Sequence, residues 1–137
     1  MTKKIKDELA ADLRRRRYLL FHDVVESENE VRAISEDKDS ELEENAQKER
    51  LANVTRRLSE RDQDMIRQIN AAIDRIDAGV YGECEECGGE IGIGRLRALP
   101  TASLCIECAT RQEKRKRLLA RERASDNFYM VGGEAGE

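Results

Sequence analysis

Tryptophan is absent from the 137 residues, and phenylalanine and tyrosine together number only five. So few large apolar side chains exclude one thick globular core. They suit long helices rich in Ala, Glu, Lys, Leu and Arg that bury a narrow seam, as does the 39% of charged residues. Such charge is also a mark of disorder, but the apolar spacing described below is regular and opposes that reading. Glycine and proline are missing from residues 1–78 altogether, so nothing there breaks a helix outright. No apolar run reaches the ~18 residues of a membrane span. The N-terminal "MTKKIKDELAADLRRRR" has no apolar centre of a secretion signal. A cytoplasmic location is expected, where paired cysteines serve as metal ligands more readily than as disulfides. Histidine occurs once, at His22, and reads as a helix-surface residue. With no Ser/His/Asp set, phosphate-cradling glycine loop or catalytic carboxylate pair to assemble, the chain does not read as an enzyme.

What is present begins with periodicity. Ile5, Leu9, Leu13, Leu20 and Val24 recur at spacings of four and seven, and the pattern fades near Ile34. It resumes at Leu51, Val54, Leu58, Met65, Ile69, Ala72 and Ile76, close to a heptad seam. Between these runs, Ser40 and Glu43 form a capping box that predicts a helix start. Two helices meeting within a few residues predict an antiparallel coiled-coil hairpin over 1–78, each arm ~50 Å long. Charge is unevenly spread along it. Residues 1–25 carry seven basic and four acidic groups, net +3, whereas 26–45 carry two basic and nine acidic, net −7. Residues 46–78 are nearly balanced, with seven basic and six acidic. The expected turn, near 36–46, is therefore a negative tip. By charge alone this is equally an ordinary solvated loop.

All four cysteines follow, as Cys84-x-x-Cys87 and Cys105-x-x-Cys108 with seventeen residues between the pairs. Structural zinc takes four tetrahedral ligands, commonly in two close pairs, and this spacing points to it before a disulfide or redox pair. With four protein ligands no position is left for water, so the metal is structural. Gly79 suits a helix C-cap, and Gly88 and Gly89 suit left-handed turns that aim N–H groups at the thiolates. Pro100 and Thr101 predict a third helix from Ala102, continuing as a C-terminal helix over 113–124. A loosely structured, flexible tail is expected from Ser125. The expected division is thus a hairpin over 1–78, a four-cysteine zinc finger over 79–112, and the helix continuation with tail over 113–137. The basic runs Arg14–Arg17 and 114–117 read as solvated helix faces, protein contacts or nucleic-acid contacts.

The stretch "INAAIDRIDAGVYGECEECGGEIGIGRLRALPTASLCIEC" closely resembles the DksA/TraR zinc-finger signature over about forty residues. That resemblance implies an all-α fold: a long antiparallel coiled-coil hairpin with a four-cysteine zinc finger and a C-terminal helix at its base. It implies one structural Zn²⁺ on Cys84, Cys87, Cys105 and Cys108. It also implies a transcription regulator that docks on bacterial RNA polymerase and passes its hairpin through the secondary channel. There it would alter open-complex stability without binding DNA. The family's tip motif falls on Glu41, Glu44 and Ala46, with Glu in place of Asp twice. Arg57, Arg61 and Arg95 are weaker candidates for polymerase or alarmone contacts. Where alarmone-responsive relatives carry basic side chains, this chain has Gln68, Leu99 and Ala109. Action without ppGpp, or with a much weakened response, is therefore expected. A monomer is expected, with no membrane partner. The rival readings are a nucleic-acid-binding zinc ribbon using 114–117 and a plain coiled-coil adaptor.

Overall fold

The computed structural model describes residues 1–35 and 41–134, without the side chains of 41–44 and 129–134. Among these residues six helices form: α1 Lys3–His22, α2 Glu28–Ile34, α3 Glu41–Arg56, α4 Glu60–Asp77, α5 Ile93–Ala98 and α6 Ile106–Glu134. Helix α1 lies against α4 and α2 against α3, the pairing of a hairpin. Among the described residues no strand forms, and Glu83 and Glu90 make an isolated antiparallel bridge. None of the described helices is long and apolar enough to cross a membrane. The expected tip lies largely outside the described residues: Ser40 is not covered, nor are the side chains of Glu41, Glu43 and Glu44.

Each arm contains two helices where the periodicity predicts one. The reason is local. Ser27 and Ser59 both take extended backbone, and each hydroxyl accepts an N–H three residues on, from Glu30 and from Asp62, at 3.2 Å. "SENE" and "SERD" are thus N-caps that restart a helix. The second restart also shifts the heptad phase. Met65, expected in the seam, is 38% exposed, while Ile66 is buried at 4%. Ile66, Ile69 and Ile73, spaced three and four apart, form the inward face of α4.

Two apolar clusters result. The base cluster joins Leu9 and Leu13 of α1, Ile69, Ala72 and Ile73 of α4, and Tyr81, Ile91, Leu96 and Ala102 of the finger. The second gathers Phe21, Ile34, Val54, Leu58 and Ile66 at the level where the arms break. Helix α4 ends as expected at Gly79, whose φ of 76° permits a Schellman cap. Val80 N–H donates to Arg75 C=O and Gly79 N–H to Ile76 C=O.

The C-terminal region departs from expectation in three ways. Helix α5 is not marked by the sequence pattern, and α6 starts at Ile106 rather than Ala102. Ser103 C=O and Leu104 C=O, which a helix from Ala102 would use, accept instead from Glu85 N–H and Arg95 Nε–H. Helix α6 also runs to Glu134, through the segment expected to be loose. Ser125, Asp126 and Asn127 are modest helix formers but not breakers, no proline follows Pro100, and glycine returns only at 132. From Thr110 to Phe128 nearly every residue is exposed, so α6 projects from the body.

Candidate metal centre and adjoining cleft

Two loops present the thiols. In the first, Gly88 at φ 73° turns the chain so that its N–H meets Cys84 C=O at 2.9 Å, and Cys84 N–H meets Gly89 C=O at 2.8 Å. Gly89 itself is not left-handed. Its N–H points at the Cys87 sulfur, 3.4 Å away, and a Cβ there would sit 3.3 Å from that sulfur. The second loop brings Cys105 to the start of α6 and Cys108 into its first turn, with Ala109 N–H donating to Cys105 C=O. Glu85 N–H to Ser103 C=O, at 2.9 Å, ties the loops together.

The four Sγ atoms lie within 4.8 Å of one another, and Cys87 Sγ stands 3.8 Å from Cys105 Sγ. A tetrahedron with Zn–S bonds of ~2.3 Å has edges of about 3.8 Å, so the donor set fits one Zn²⁺. Cys84 and Cys108 are buried, Cys105 is half-buried and Cys87 exposed. Backbone N–H groups, chiefly those of Cys87 and Cys105, lower the Cys84 thiol to about 6. Burial, and hydrogen bonds with the other three thiols, push Cys108 up to about 12. Four thiolates around one divalent ion leave excess negative charge, which cations outside the ligand set can offset. Arg111 supplies one, with a guanidinium nitrogen 3.4 Å from Cys108 Sγ. Arg115 pairs with Glu86 of the first loop at 3.0 Å.

Around the centre, polar contacts brace the finger, and those of Arg75 join it to the hairpin. Tyr81 O–H donates to Pro100 C=O at 2.7 Å. Arg75 of α4 donates to Thr101 C=O at 3.3 Å and lies 3.6 Å from Glu85. Arg95 uses its Nε–H on Leu104 C=O at 2.9 Å, a structural role that leaves its terminal nitrogens for other contacts. Arg95 also lines a cleft of about 720 Å³ between α4, the finger and α6. Gln68, Leu99 and Ala109, far apart in sequence, meet in that one cleft, and Lys114 and Arg117 of α6 form part of its wall. The basic run at 114–117 thus lies partly beside the finger, a placement the sequence did not reveal.

The remaining candidates separate. Ala46 is half-buried in α3, while the side chains of Glu41 and Glu44 lie outside the described residues. Arg61 is exposed at the start of α4. Arg57 does not face solvent as a free contact would: it pairs with Glu26 at 2.9 Å and with Glu30. The missed partner was Glu30, and the signal for it was the capping serine of "SENE".

A helical hairpin closed at one end by a four-cysteine centre defines the class, a C4 zinc-finger protein of the hairpin type. Residues 79–114 match the prokaryotic dksA/traR C4-type zinc finger. Transcription factor DksA2 of Pseudomonas aeruginosa aligns over 84% of this chain and 88% of its own, with a TM-score of 0.55 and 32% identity. The chain belongs to the DksA/TraR family, and it carries one structural Zn²⁺ site. The RNA polymerase-binding transcription factor DksA of Haemophilus influenzae is 43% identical over 61 residues, 44% of this chain and 42% of that protein. The protein of the same name from Escherichia coli K12 is 43% identical over 61 residues, 40% of its length. These matches therefore span about two fifths of each curated relative.

Proposed function

We propose that this protein is a non-enzymatic transcription regulator that binds bacterial RNA polymerase and carries its hairpin into the secondary channel. There it modulates initiation by changing open-complex stability, and it makes no direct contact with DNA. Cys84, Cys87, Cys105 and Cys108 hold the zinc that keeps the base rigid. Glu41, Glu44 and Ala46 form the part that works beside the polymerase active centre. The observation that carries this reading is the charge map of the sequence: six acidic groups against one basic in 36–45, where the expected turn of the hairpin falls. Relatives named for RNA polymerase binding support the partner. Charge at the end of a rod acts where the rod delivers it, and α3 and α4 contribute ~24 and ~27 Å of that rod. The action is steric and electrostatic, takes place in the cytoplasm, and needs one copy of the chain.

Replacing Glu41 and Glu44 with Asn tests docking and action separately. Capture by core polymerase should stay near the parent level, because the tip and the base are too far apart to couple through packing. The effect on initiation should be lost. A double variant that regulates like the parent removes the tip from the mechanism. Failure of the parent to bind core polymerase, together with salt-sensitive binding to naked DNA, would replace the proposal with a nucleic-acid-binding zinc ribbon.

A further inference from the structure

The two arms break at one level, and one side chain crosses the break. Helix α1 stops at His22 and α2 starts at Glu28; on the return arm α3 stops at Arg56 and α4 starts at Glu60. Arg57, in the shorter gap, pairs with Glu26 in the longer gap at 2.9 Å and with Glu30 in the first turn of α2. The Glu30 side chain is only 11% exposed, and its Oε1 accepts the Glu26 N–H at 2.7 Å. One buried carboxylate thus holds its own arm's gap closed and receives the guanidinium of the other arm.

We propose that Arg57 is a positioning residue, and that its clamp on Glu26 and Glu30 sets the direction in which α2 and α3 leave α1 and α4. An unbroken helical hairpin transmits direction through its backbone hydrogen bonds. With both arms interrupted at one level, side chains must do so. Phe21, Val54, Leu58 and Ile66 fill that level, but apolar burial is non-directional. A guanidinium shared between two carboxylates is directional. Arg57 is only 28% exposed, and its Nε is buried with no hydrogen-bond partner. Such a buried ionic group contributes geometry more readily than net stability. The lever is long: over the ~24 Å of α3, a swing of ~20° moves the far end by ~8 Å. The proposed function enters only in saying what this direction is for, which is delivery of the acidic tip.

Pulsed electron paramagnetic resonance tests the clamp without polymerase. Spin labels on non-natural residues replace the exposed Lys4 of α1 and Lys48 of α3, which leaves the four cysteines to zinc. In Arg57→Met combined with Glu30→Gln, the distance distribution should widen roughly twofold, with zinc content and helical signal at parent values. A parent-like distribution overturns the proposal. Should that variant lose helical signal, Arg57→Lys decides, since it keeps stem and charge but not the fork: widening supports the clamp, and a parent-like distribution overturns it. In transcription, the widened variant should bind polymerase yet act about tenfold less, as a mispositioned functional group does. A widened distribution with undiminished regulation leaves the clamp standing and counts against the tip reading instead.

Discussion

Cys108 shows how much a single side chain carries at the base of this protein. It is fully buried and belongs to the base cluster, which draws residues from both helical arms and the finger. Zinc binding at sites of this kind is worth on the order of 10–16 kcal/mol, enough to fold a small module outright. Elemental analysis should therefore find about one zinc per chain, as a closed four-ligand site requires. Cys108→Ser should lose the ion and unfold the finger, measured as lost protection of amides between Tyr81 and Ala109. Much of the helical signal should remain, because the second apolar cluster, around Phe21 and Val54, contains no finger residue. A native finger in reduced, metal-free protein would contradict this. The centre was the most legible feature of the sequence, because cysteine spacing fixes ligand geometry within a few residues.

At the scale of the element, the helices are decided by their ends. The heptad pattern alone suggested continuous arms, and it assigned Met65 to the seam. Capping overrides it: the serines at 27 and 59 bind the free N–H groups of new helices, and the heptad phase shifts after Ser59. Ser59→Ala should lower stability by about 0.5–2 kcal/mol through loss of the cap. Chemical denaturation would measure that loss, and a Ser59→Asp companion should recover most of it. Both signals stood in the sequence as serine followed three residues later by an acidic residue. They are short, and a strong periodicity on either side masks them.

For the whole molecule, the informative feature is where α6 goes. It leaves the finger and projects, exposed along most of its length from Thr110 to Phe128, so its outer part adds little to the core. Removing residues 119–137 should change the stability of the remaining body by no more than about 0.5 kcal/mol, the usual range for surface changes. Calorimetry would check this, and a larger loss would mean that α6 supports the base. The inner part of α6 forms one wall of the cleft that also gathers Gln68, Leu99, Ala109 and Arg95. A tetra- or pentaphosphate needs converging cations. Three neutral side chains at that wall, where alarmone-responsive relatives carry basic ones, predict a ppGpp response that is absent or much weakened, although Arg95, Lys114, Lys116 and Arg117 line the same cleft. In vitro transcription with and without ppGpp measures it, and a large ppGpp-dependent enhancement would refute the expectation.

The two cysteine pairs, the helix caps and the uneven charge were determined by the sequence itself, since each depends on neighbours within one loop or one or two helical turns. The cap at Gly79 belongs with them, because positive φ selects glycine at that one residue. Tertiary structure alone decided which face of α4 turns inward, that both arms break at one level, and that Arg57 reaches back to Glu30 across 27 positions. It also decided that Gln68 and Ala109 share a cleft. The physical reason is range. Local hydrogen bonds and periodic burial act over a few residues, whereas these meetings depend on the pairing of α1 with α4 and α2 with α3, and on the Gly79 turn and the finger, which bring distant segments together.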